Sequence, residues 1–70
     1  MTPALTAPQA RMLAFIAADI ANYGQAPSQA EIAAHMGHRF ASSTQRMLAQ
    51  LERAGAIRRT PGRARSIVVL

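Results

Sequence analysis

All eight basic side chains of this 70-residue chain are arginines, and there is no lysine. A guanidinium fork matches the oxygens of a phosphate and the acceptor pair of guanine, whereas an ammonium acts as a point charge. Six of the eight lie from Arg46 onward, Arg39 stands shortly before them, and Arg11 alone is remote. A GC-rich coding sequence, which favours arginine codons, accounts for the residue type equally well. The placement is what points to a polyanion. Around Arg46, the side chains of Ser42, Ser43 and Gln45 can also meet base edges: arginine forks onto guanine, glutamine pairs with adenine, and serine serves either. These four are the candidates for base contact. Arg39, Arg53, Arg58, Arg59, Arg63 and Arg65 are candidates for backbone phosphate, contacts that position a protein without reading sequence. Ser28 and Gln29, at an expected helix N-terminus, can offer backbone N–H groups to phosphate.

Other chemistries find little support. The absence of cysteine excludes disulfides and thiolate metal sites. His35 and His38 are three residues apart with no suitably spaced acid, so no metal site is expected. Asp19, Glu31 and Glu52 are too dispersed to form a catalytic carboxylate pair. No Ser/His/Asp constellation and no phosphate-cradling glycine loop occurs, so neither enzymatic activity nor a cofactor is expected, and no small-molecule ligand is evident. Seventy residues suit a single domain that buries about 60 % of its unfolded surface, too little for a deep catalytic cavity. Half of the residues are apolar, enough to fold, and the net charge is +5. No apolar run approaches a membrane span and no signal-peptide pattern opens the chain, so the expectation is a cytoplasmic, nucleoid-associated protein without membrane contact.

The elements that must position the arginines follow from caps and periodicity. Thr6-Ala7-Pro8-Gln9 has capping-box spacing, and Met12, Leu13, Ile16, Ile20 and Tyr23 fall on one face of a helix over about 7–23, stopped by Gly24. Ser28-Gln29-Ala30-Glu31 is a second capping box, opening a helix over about 29–36 that Gly37 ends. Ser42-Ser43-Thr44-Gln45 offers a third, for a helix over about 43–54 with Gly55 as its stop. On a helical wheel Thr44, Met47, Leu48 and Leu51 fall on one side, and Ser42, Gln45, Arg46, Ala49 and Arg53 on the other. Residues 56–60 and 65–70 read as strands around a Pro61-Gly62-Arg63-Ala64 turn, with Ile57, Ile67 and Val69 available to face the helices. The resulting fold class is mainly α with a small β-hairpin: a three-helix winged helix-turn-helix.

Leu5-Thr6-Ala7-x-Gln9, Gly24-x-x-Pro27-Ser28-x-Ala30-Glu31-Ile32-Ala33, Met36-Gly37, Leu48-x-x-Leu51 and Gly55-x-Ile57, with the terminal hairpin, resemble the N-terminal DNA-binding domain of LexA-type (SOS) repressors. The resemblance covers nearly the whole chain. It implies a third helix that enters the major groove and a wing near the DNA backbone. It also marks departures. The family commonly opens the third helix with Ser-Pro, followed by a polar residue and alanine. This chain has Phe40-Ala41-Ser42-Ser43, and Gln45-Arg46 where the family often has glutamates. Its preferred site is therefore expected to differ from the best-known LexA box. The family's C-terminal peptidase uses a Ser-Lys dyad and an Ala-Gly cleavage bond. Without lysine these seventy residues are not expected to do that chemistry, and Ala54-Gly55 reads as a helix end. An excised domain and a natural stand-alone relative both fit the sequence.

Two functions fit the sequence. One is a sequence-specific double-stranded DNA-binding regulator, a repressor acting by promoter occupancy, with a second copy on a palindromic or repeated site. The other is a winged-helix interaction module, or inhibitor, that binds an acidic protein partner. The four arginines between Arg58 and Arg65 favour the first.

Overall fold

In a computed structural model, residues 4–60, 62, 63 and 65–70 are described; residues 1–3, the start of a Met1–Leu5 stretch that the sequence leads us to expect as loose, and Pro61 and Ala64 of the expected turn lie outside them. Helix α1 spans Ala7–Tyr23, α2 Gln29–Met36 and α3 Ala41–Arg53; strands β1, Ile57–Arg58, and β2, Val68–Val69, follow. The strands pair antiparallel, Ile57 opposite Val69 and Arg58 opposite Val68. Three helices and a C-terminal hairpin form the winged helix-turn-helix that the pattern of caps and periods predicts. No helix among the described residues is long and apolar enough to cross a membrane.

Two of the three expected capping boxes form. Thr6 N–H donates to Gln9 Oε1 (3.0 Å) and Gln9 N–H to Thr6 Oγ1 (3.3 Å). Ser28 and Glu31 make the same exchange at 2.7 and 3.1 Å. The Ser42–Gln45 box does not form. Helix α3 begins a residue before the expected cap, at Ala41, and extended Phe40 at the N-cap makes no side-chain cap bond. A serine cap is worth about 1 kcal/mol. The observed start places Thr44 within the first turn, 1 % exposed and 2.8 Å from His38 Nδ1. Leaving such a buried hydroxyl unpaired would cost about 1–3 kcal/mol, at least comparable to the cap that is forgone. At the other end Gly55 adopts φ +79°, Gly55 N–H donates to Glu52 O and Ala56 N–H to Leu51 O, both at 3.0 Å. This paired closure turns the chain from α3 into the hairpin and accounts for the Ala54-Gly55 pair.

Met12, Ile16, Ile32, Leu48, Leu51 and Ile57 are essentially fully buried, and Ile67 joins them. Leu5, Leu13, Ile20, Met36, Met47 and Val69 pack around this centre. Leu5, expected to be loose, is thus part of the packing. Tyr23 departs from its expected place on the apolar face and is 74 % exposed. It is the last residue of α1, beyond Ile20 and just before left-handed Gly24. The hairpin strands are shorter than the five and six residues expected. Ser66 replaces ladder bonds at Thr60: its Oγ accepts from Thr60 N–H (3.0 Å) and donates to Thr60 O (3.1 Å). Arg65, at φ +57°, leaves extended geometry altogether. Beyond β2, Leu70 N–H donates to Ala56 O at 2.9 Å.

Leu48→Ala is expected to destabilise the fold by about 2–5 kcal/mol, whereas Gln45→Ala, one turn earlier on the exposed face, changes it by less than about 0.5 kcal/mol. Urea unfolding followed by far-UV circular dichroism measures both. Equal effects would contradict this division of α3 into buried and exposed faces.

Candidate nucleic-acid interface

The helical wheel drawn from sequence is realised in α3. Thr44, Leu48 and Leu51 are buried and Met47 is half-buried, while Ser42, Gln45, Arg46 and Arg53 are exposed. Ser43 is half-buried, which leaves part of its surface accessible. Gln50 is tied to α1 through Gln9 Nε2, at 3.0 Å. Arg39 is exposed in the connector before α3, and Phe40 beside it is 64 % exposed. The polar face thus stands clear of the rest of the molecule, positioned by the buried stripe behind it.

The wing arginines divide into two kinds. Arg59 pairs with Glu52 on α3, through Nη2 at 3.0 Å and Nε at 3.1 Å. Arg65 Nη1 pairs with Glu31 at 2.8 Å and also donates to Ala26 O at 3.3 Å. Arg39, Arg46, Arg53, Arg58 and Arg63 enter no ion pair among the described residues. Arg58 is exposed on β1 and Arg63 is exposed at the wing tip. Two of the four wing guanidiniums are therefore partly neutralised, and they hold the wing against α2 and α3.

Ser28, Gln29, Arg59, Arg63 and Arg65 border one cleft of about 520 Å³ between the start of α2 and the wing, with Thr60, Ser66 and Glu52. Ser42, Ser43, Gln45, Arg46, Arg39, Arg53 and Arg58 lie outside it. At the α2 N-terminus two donors are already committed: Ser28 N–H to Glu31 and Glu31 N–H to Ser28 Oγ. Glu31 bonds to the Ser28 backbone and hydroxyl and to Arg65, and together these hold its carboxyl below its ordinary value of 4.5. An anion approaching Ser28 or Gln29 meets that carboxylate as well as the helix dipole.

Three roles were not legible in the sequence. Glu31 and Glu52 act as arginine clamps, and His38 contacts Thr44. Glu52 lies on α3 and Arg59, seven residues on, just past β1, and Glu31 and Arg65 are 34 apart, so no local spacing reports either pair. His35, the other histidine, stacks on Phe15 with ring centroids 4.0 Å apart.

An exposed polar helix face, braced by two neighbouring helices and flanked by a basic hairpin, defines a winged helix-turn-helix domain. The chain belongs to the LexA DNA-binding domain family, whose model matches residues 1–66. It is 49 % identical over 63 residues to LexA repressor 2 of Xanthomonas campestris pv. campestris, covering 90 % of this chain and 30 % of that protein. It is 48 % identical over 63 residues to the LexA repressor of Stenotrophomonas maltophilia, with the same coverage of each chain. To the LexA repressor of Tolumonas auensis it is 39 % identical over 66 residues, 94 % of this chain and 32 % of that protein. The chain thus spans about a third of the length of these curated relatives.

The lowered Glu31 pKa fixes the sign of one pH effect. A carboxyl with a depressed folded-state pKa contributes stability that is present above its unfolded value and lost as pH falls through the folded value. Stability is expected to drop below pH 4.5 partly through this group, and Glu31→Gln should remove that part of the drop. Urea unfolding of both proteins between pH 6 and pH 3 checks it; parallel curves throughout would rule out a Glu31 contribution.

Proposed function

We propose that the domain binds double-stranded DNA sequence-specifically, as the reading module of a transcriptional repressor that acts by promoter occupancy. The observation that carries this reading is the exposed Ser42, Gln45, Arg46 and Arg53 face of α3, backed by a buried stripe and free of ion pairs among the described residues. The naming of the relatives as LexA repressors supports it. Helix α3 enters the major groove, where Ser42, Ser43, Gln45 and Arg46 meet base edges. Arg39, Arg53, Arg58 and Arg63 take phosphates. Arg59 and Arg65 stay anchored to carboxylates and hold the wing at the backbone. Ser28 and Gln29 supply a further phosphate contact at the edge of the cleft.

The role is binding rather than catalysis, in the cytoplasm, where the nucleoid is accessible. One such domain reads only a few base pairs, so useful specificity takes two copies on a palindrome or repeat. Attraction to phosphate makes affinity fall as salt rises. A gel-shift titration against random duplex at two salt concentrations tests the DNA reading, because an acidic-protein partner predicts no shift even at low salt. Selection from a random duplex pool then returns the half-site and its spacing.

With that site in hand, Arg46→Ala is expected to relax preference at one base position, costing about 1–3 kcal/mol there. Arg63→Ala should weaken binding to all sequences alike and reduce the log–log salt slope by about one. Fluorescence anisotropy on the selected and a random duplex separates the two. Uniform losses from both substitutions would overturn the assignment of Arg46 to bases.

A further inference from the structure

The joint between α2 and α3 contains a side-chain contact that the proposed groove contacts do not use. His38 follows Gly37, the left-handed residue that ends α2. Its backbone N–H donates to Ala33 O in α2 at 2.9 Å. Its ring Nδ1 lies 2.8 Å from Thr44 Oγ1 in the first turn of α3. One residue is thus bonded to both helices of the helix-turn-helix. Nδ1 and a hydroxyl exchange a hydrogen bond in either neutral tautomer of the ring and in its protonated form.

The front of α3 has no side-chain cap at Phe40, and its first turn is closed locally by Ser43 N–H donating to Phe40 O at 3.1 Å. The nearest fully buried apolar anchor on the helix is Leu48, a full turn beyond Thr44. Thr44 itself is 1 % exposed, so its hydroxyl is a fixed point. Ser43 and Gln45 are its immediate neighbours in sequence, and Ser42 lies two residues before it. A binding constellation works only when its groups are held to about 0.5 Å and 10–20°, so a helix end that rocks about its own axis blurs base contacts before it weakens phosphate contacts.

We propose that His38 is a positioning residue for base readout: it locks the first turn of α3 onto the end of α2 through Thr44, and thereby sets the presentation of Ser42, Ser43 and Gln45. The inference rests on the DNA-reading function proposed above. It separates specificity from affinity within one short turn. Of the phosphate contacts, Arg58 and Arg63 sit on the hairpin and Arg53 at the far end of α3, so most of them tolerate a small shift of the first turn of α3, whereas the base contacts do not.

The test compares His38→Leu, His38→Asn, Thr44→Val and the His38→Leu/Thr44→Val double variant with wild type. Asparagine places a hydrogen-bonding atom near the position of Nδ1, and leucine does not. The readouts are anisotropy on the pool-selected duplex and on a random duplex, together with amide hydrogen exchange. His38→Leu and Thr44→Val are each expected to lower the ratio of selected to random binding by about five- to tenfold, with random binding and salt slope unchanged. The double variant should lose no more than either single variant, and His38→Asn should recover most of the ratio. Exchange should accelerate in the first turn of α3 in His38→Leu and not at Leu51. A wild-type ratio that survives His38→Leu intact, or exchange unchanged at the start of α3, overturns the inference while leaving the DNA reading standing. A wild-type protein with no sequence preference overturns the DNA reading, and exchange alone then decides whether His38 fixes the helix. Should His38→Leu or Thr44→Val fail to fold, Thr44→Ser keeps the hydroxyl and His38→Asn the nitrogen. Loss of the ratio in either of these folded variants would also count against the proposal.

Discussion

The structure depends on the burial of one side of α3. Thr44, Leu48 and Leu51 fall at i, i+4 and i+7, and that stripe seats against Met12 and Ile16 of α1, Ile32 of α2, and Ile57 and Ile67 of the hairpin region. Each of these elements gives only one or two side chains to the centre. With so few contributors, none can move away without opening this core, the one buried cluster among the described residues. The same constraint determines what is left exposed. Once the stripe faces inward, Ser42, Gln45, Arg46 and Arg53 face outward by helical geometry alone. The candidate reading surface is the geometric complement of the core.

Charge is distributed by a second scarcity. Eight arginines share three carboxylates, and two of those carboxylates are spent on the wing: Glu52 on Arg59 and Glu31 on Arg65. Both pairs are exposed enough that each contributes little stability by itself. Their effect is on position. Glu31 also closes the capping box of α2, so the cap, the linker carbonyl of Ala26 and the wing meet at one guanidinium. The arginines left without an ion pair keep their full charge for an outside anion, and they include Arg46 on α3 and Arg58 and Arg63 on the hairpin.

Much of the fold was legible because it is written in short-range signals. The boundaries of α1 and α2 follow from Thr6–Gln9, Gly24, Ser28–Glu31 and Gly37, all interactions across three or four residues. The faces of α3 followed from its period. Its first residue did not: Ser42 is a good cap locally, whereas the structure starts the helix at Ala41 and buries Thr44 against His38, a contact that exists once α2 and α3 have packed. The wing was misjudged for a similar reason. Arg65-Ser66-Ile67-Val68-Val69-Leu70 reads as a strand, yet Ser66 spends its hydroxyl on Thr60 and Arg65 turns left-handed to reach Glu31. Arginine count overstated the basicity of the wing, since neither carboxylate partner is a local neighbour.

The left-handed backbone of Arg65 carries this further. A non-glycine residue at positive φ costs about 1–2 kcal/mol, so the local chain would not choose this conformation unaided. It persists where surrounding contacts fix it, here Glu31 and the Ala26 carbonyl. The wing is thereby pre-set relative to α2, and α2 relative to α3 through the His38 joint. On the DNA-binding reading, a docked wing brings its backbone contacts to the duplex without first ordering a loop, a saving that raises affinity without adding any contact. Arg63 at the tip gains most: it keeps its unpaired charge while the neighbouring Arg65 holds the segment that carries it. Neutralising two wing arginines therefore need not weaken the interface. It exchanges part of the wing's long-range attraction for a fixed geometry, held by exposed ion pairs that themselves weaken as salt rises.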